Sequence, residues 1–82
     1  MKPTRQYALR RLMARLFEVD ETAIVSGLQI GDVPNWDSLG HAKLMLAVED
    51  EFEIAMTADE MSEILSVEDI DAILDEKLGS GS

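Results

Sequence analysis

The sequence predicts an all-α fold, a small four-helix bundle of three long helices and one short one with a long loop between the first two. Three observations lead there. Apolar residues recur at helical spacing in separate stretches, helix-start signals precede those stretches, and no convincing alternating strand pattern occurs between them. The 82 residues suffice for one domain, taken as residues 1–78, in which folding buries about three fifths of the surface the unfolded chain exposes. A large catalytic cleft is not expected in so short a chain.

The first helix is expected over about residues 4–17, where Leu9, Leu12, Met13, Leu16 and Phe17 form the stripe of an amphipathic helix. Arg10, Arg11 and Arg15 lie on its other side. Residues 18–35 form the long connection. Its spaced apolar residues Val19, Ile24, Val25, Leu28, Ile30 and Val33 predict that it packs over the domain, with Ser26-Gly27 and Gly31-Asp32 as turns.

The second helix begins near Asp37, because Gly31-Asp32-Val33-Pro34-Asn35 is rich in breakers while Leu39 to Phe52 contains no proline and one glycine. Two stripes divide it. His41, Leu44, Met45, Val48 and Phe52 are expected in the core; Ala42, Leu46, Glu49, Asp50 and Glu53 form an outer face of apolar residues among acids. Thr57-Ala58-Asp59-Glu60 is a capping box opening a short third helix, and Ser66-Val67-Glu68-Asp69 starts the last. In that helix Val67, Ile70, Ile73, Leu74 and Leu78 are expected to face inward, with Lys77 in the final turn and Gly79 as the stop. Gly79-Ser80-Gly81-Ser82 is taken as a flexible tail or expression remnant outside the fold.

The net charge of −10 is unevenly placed: residues 1–17 hold five cations, Lys2, Arg5, Arg10, Arg11 and Arg15, while residues 18–82 hold all 17 acids against Lys43 and Lys77, a sum of −15. Such a field repels nucleic acid and anionic lipid and speeds encounter with basic protein surfaces. The arginines of the first helix are read as a solvated face paired with neighbouring acids. A core without cysteine is built from Leu, Ile, Val, Met and Ala, with methionines filling gaps. No run reaches the length of a membrane span and no signal-peptide pattern opens the chain, so a cytoplasmic monomer is expected. A solitary histidine without cysteine cannot build a structural zinc site, and the acids do not form a calcium-loop pattern.

Candidate chemistry centres on Trp36-Asp37-Ser38-Leu39-Gly40-His41. Asp37 can cap the orphan amides of the second helix, and the partial positive charge of a helix start stabilises a phosphate attached at Ser38. Ser38 and His41, three apart on a helix, are also a nucleophile–base spacing, but no third group orients the imidazole and no oxyanion arrangement is evident. No enzymatic activity is expected.

Asp37-Ser38-Leu39, followed by Leu44-Met45-Leu46-Ala47-Val48-Glu49-Asp50-Glu51-Phe52, resembles the acyl carrier proteins over roughly residues 5–78. The resemblance implies a serine, here Ser38, that carries covalent 4'-phosphopantetheine from coenzyme A, attached by a phosphopantetheinyl transferase with a magnesium ion. Acyl groups are then held as thioesters and handled by loading, condensing and other processing enzymes. By the same resemblance Asp37 presents Ser38, Leu39 anchors the helix start, and Ala42, Lys43, Leu46, Glu49 and Asp50 meet partners. Gly40 and Lys43 depart from the family's commonest pattern, which has acids there, and His41 replaces a small or apolar residue. Those departures favour a dedicated polyketide, modified-lipid or aminoacyl pathway over housekeeping fatty acid synthesis. The alternative is an unmodified acidic helical adaptor that binds a basic partner protein.

Overall fold

The computed structural model describes residues 4–79; Lys2 and Ser80-Gly81-Ser82 lie outside the described residues. The described residues form four α-helices, α1 (Thr4–Phe17), α2 (Ser38–Phe52), α3 (Ala58–Glu63) and α4 (Val67–Leu78), and the expected helical bundle is observed. A single turn of 3-10 helix, Glu21–Ala23, sits in the first loop, held by Asp20, whose carboxylate accepts from the Thr22 amide and hydroxyl. Those two hydrogen bonds, the amide's first, hold the Asp20 pKa below its ordinary value.

Burial drives the arrangement of the helices. Leu9, Met13 and Phe17 of α1, Leu44, Met45 and Val48 of α2, and Val67, Ile70 and Leu74 of α4 meet in one core, joined by Ile64 after α3 and by Ile24 and Trp36 from the loop. Leu16, Phe52 and Ile73, expected in the core, are half-buried at its margin. Leu78, in the last turn of α4, was expected inward and is instead 36% exposed. Met13, Met45 and Met56 are buried among the branched side chains.

The long loop packs down as expected, with one exception: Val25 is exposed where it opens the turn closed by Leu28 N–H to Val25 C=O. Three backbone hydrogen bonds fasten it to the α3–α4 junction: Ile30 N–H to Leu65 C=O, Val67 N–H to Leu28 C=O, and Glu68 N–H to Ser26 C=O. A lone antiparallel bridge, Gln29 with Ser66, accompanies them, too short for any sequence period to announce. Gly31 has φ +95°, and the turn it serves closes through Asp32 N–H to Gln29 C=O.

Caps set the helix ends. Thr57 and Glu60 form the predicted reciprocal box at α3, and Ser66 accepts from the Asp69 amide at α4. Glu60 is held below its ordinary pKa by the Thr57 amide first and by Lys77 of α4, 3.1 Å away, second. Gly79, read as the stop of the last helix, ends α4 with its N–H donating to Asp75 C=O and φ +80°. At α1 and α2 the caps are glutamates in the left-handed region, Glu18 at φ +60° and Glu53 at φ +56°. Val19 N–H to Ala14 C=O and Ile54 N–H to Glu49 C=O complete a Schellman-type closure at each.

Of the three arginines read as a paired face of α1, Arg10 and Arg11 meet acids of other elements, as does Arg5, while Arg15 stands in none of the described ion pairs. Arg5 reaches Asp75 at 2.6 Å, Arg10 reaches Asp71 at 3.2 Å and Arg11 lies 3.7 Å from Glu21. No helix among the described residues is long and apolar enough to cross a membrane.

Candidate functional site

Ser38 is the first residue of α2 and is exposed. Its position is fixed from both sides. On the helix side Asp37, extended at φ −112° and ψ −164°, caps α2: its Oδ1 accepts from the Gly40 amide at 2.8 Å and its carbonyl from the His41 amide at 2.7 Å. No acid stands in the first turn of α2 after that cap, so the helix start offers its partial positive charge to a group attached at Ser38.

On the loop side the anchor is Trp36, which is fully buried. Its ring stacks on Phe17 at 5.6 Å and on His41 at 6.3 Å. Its indole N–H donates to His41 Nδ1 at 3.0 Å. An Nδ1 that accepts leaves the proton on Nε2, which donates to the Met61 carbonyl at 3.2 Å. His41 therefore bridges the loop, α2 and the end of α3. Both ring nitrogens are engaged away from Ser38, which removes the nucleophile–base reading of the pair.

Asn35 completes the frame. Its side-chain amide donates to the Phe17 carbonyl at the end of α1, 2.9 Å away, and its own carbonyl lies against the α-carbon of Gly40. A Cβ placed on Gly40 would run into that oxygen, so residue 40 is glycine because the loop crosses there. Glycine at this position thus has a packing cause.

The other sequence-predicted residues divide. Leu39 is 67% exposed and does not anchor the helix start; that role falls to Trp36, for which the sequence offered only the signal of a lone large aromatic just before a cap. Ala42, Lys43, Leu46 and Asp50 are exposed on the outside of α2. Glu49 is half-buried and its Oε2 accepts from the Met56 amide at 2.7 Å, so it holds the α2–α3 turn as well as lying beside the outer face. A cleft of about 260 Å³ opens between the end of α1 and the start of α2, with Leu16, Leu39, Asp37 and Lys43 among its walls. Among the described residues no group of His and acidic side chains is arranged to hold a metal ion.

No family model matches the chain, and no curated protein is significantly similar to it.

Proposed function

We propose that this chain is a carrier protein that holds acyl intermediates as thioesters on a 4'-phosphopantetheine arm attached to Ser38, serving a dedicated polyketide, modified-lipid or aminoacyl pathway. The observation that carries the proposal is the framing of one exposed serine at an acid-free helix start, held by Asp37, Asn35 and the Trp36–His41 pair. The residues fit the group: a phosphodiester at Ser38 meets the positive end of α2, and Ser38 is exposed. When attached, the arm supplies the thiol that the cysteine-free chain lacks. The chain's own residues hold the attachment point rigid. Asp37 fixes the helix start, Trp36 and His41 pin the preceding loop to α2 and α3, and the outer face of α2 stands beside the serine for an enzyme to grip.

Intact mass before and after treatment with a broad-specificity phosphopantetheinyl transferase, coenzyme A and magnesium tests the proposal. Wild type gains one phosphopantetheine mass, and Ser38→Ala gains none while keeping its helical circular dichroism, since Asp37 retains the cap. A folded wild-type chain refractory to several such transferases would leave the unmodified acidic adaptor as the better reading.

A further inference from the structure

The two ring nitrogens of His41 make different demands on its proton. Nδ1 accepts from the Trp36 indole at 3.0 Å, which requires its lone pair to be free. Nε2 donates to the Met61 carbonyl at 3.2 Å, and it can do so in the neutral ring and in the doubly protonated ring alike. A second proton therefore keeps the bond to α3 and sets one N–H against another in the bond to the loop. Trp36 is fully buried, and among the described residues no buried side-chain nitrogen or oxygen lacks a partner. An indole N–H without its acceptor would be the first, a state that buried donors avoid.

The charged groups around the ring do not replace that acceptor. Among the described residues no ion pair includes His41. Its neighbours one turn away on α2 are Asp37, Ser38, Leu44 and Met45, and Asp37 has Oδ1 on the Gly40 amide. Around Met61, Asp59 and Glu63 are exposed, and Glu60 is held by the Thr57 amide and by Lys77 of α4. Asp69 of α4 accepts from the Leu65 amide, Asp32 of the loop accepts from the Gln29 amide, and Glu18, which follows Phe17, is exposed. These acids favour a positive ring through a screened field, but none supplies the lone pair that the indole loses.

The bond that a second proton breaks is the one that holds the loop. The Trp36 carbonyl accepts from Gly31 N–H at 2.7 Å and the Trp36 N–H donates to Val33 C=O at 3.1 Å, so the turn over residues 31–36 closes on the residue that the indole anchors. Asp37, next in the chain, caps α2, and Ser38 follows.

We infer that the Trp36–His41 hydrogen bond is an acid-sensitive latch. With a neutral ring His41 is a positioning residue for Ser38; a second proton releases the turn over residues 31–36 and leaves α2 tied to α3 through Met61. The inference rests on the carrier reading only in making Ser38 the point whose presentation changes. Its sign follows from the chemistry of the ring. The open arrangement accommodates the second proton and the closed one opposes it, so the latch is closed above the ordinary imidazole range, about pH 6.5, and opens as pH falls through it.

The test follows the ¹⁵N-labelled unmodified chain from about pH 8 to about pH 5.5, above the carboxylate range. The ring nitrogens of His41 report where the proton sits, and at the upper end it is expected on Nε2. As the ring titrates, protection of the Trp36 indole and of the Gly31 amide against hydrogen exchange, taken relative to the unstructured rate at each pH, should fall roughly tenfold, the scale of one hydrogen bond. Protection of the Ile64 amide, which donates to the Met61 carbonyl, should stay. In Trp36→Phe, which keeps an aromatic ring and loses the N–H, His41 still titrates but protection at Gly31 no longer follows it. The wild-type titration decides by itself if that variant does not fold. A proton on Nδ1 at the upper end, a ring that stays neutral across the range, a ring that titrates without loss of indole protection, loss at Ile64 together with the indole, or Gly31 following the ring equally in Trp36→Phe each overturns the inference. Because the titration needs no group on Ser38, its failure is separate from failure of the mass test of the carrier reading.

Discussion

At the scale of single residues, the site is set by contacts that a helical wheel does not contain. Gly40 is the sharpest case. Glycine inside a helix ordinarily weakens it by about 1 kcal/mol relative to alanine, so Gly40→Ala would stabilise an isolated α2. Here the added methyl would enter the Asn35 carbonyl, which is backbone and cannot rotate away. Gly40→Ala is expected to destabilise the domain by about 1–3 kcal/mol, the range of overpacked cores, and to disturb the Trp36 environment. Urea unfolding followed by the fluorescence of the single tryptophan measures both. A stabilised variant would show that the loop does not cross there.

At the scale of elements, the helix ends divide into those with the expected chemistry and those without it. Glu53 ends α2 in the left-handed region that glycine adopts at no cost, and it puts a carboxylate at the negative end of a helix. Glu53→Gly is expected to stabilise the chain by about 0.5–1 kcal/mol, the relief of a left-handed side chain less the entropy that glycine adds to the unfolded chain. A higher denaturant midpoint with an unchanged slope is the readout. The α3 cap makes a pH prediction. Glu60 has a folded pKa below its ordinary 4.5, so its contribution is present above that value and is lost as pH falls through the lowered folded value. Glu60→Gln removes this dependence. Its midpoint should therefore fall less steeply than wild type's from pH 4.5 downward in parallel thermal melts.

At the scale of the molecule, opposite charges are sorted rather than mixed. The α1 arginines reach across to α4 and the first loop, while most acids face water. Exposed ion pairs of this kind contribute little each, whereas a net −10 on 82 residues repels itself throughout the fold. Screening should therefore help more than it harms. Raising sodium chloride from roughly 0.01 M to 0.5 M, which shortens the screening length from about 30 Å to about 4 Å, is expected to raise the melting temperature. A decrease would mean that the α1 pairs outweigh the general repulsion.

Sequence by itself determined the helical elements, because local signals fix them: the stripe of α1, the Thr57–Glu60 box, the Ser66 cap and the terminal glycine all stand where they were read. It also placed Ser38 at a helix start, since breakers upstream and an Asp cap are local chemistry. Tertiary structure alone decided how that serine is held. Trp36 meets Phe17 of α1 across 19 residues of chain and His41 of α2 across five, and no period in the sequence relates the three. The same holds for which apolar residues stay outside: Leu39 and Leu46 fit a helix as well as Leu44 does, and only the position of α1 and α4 settles which side of α2 is covered. Burial is a property of the neighbours, and the neighbours are chosen by the fold.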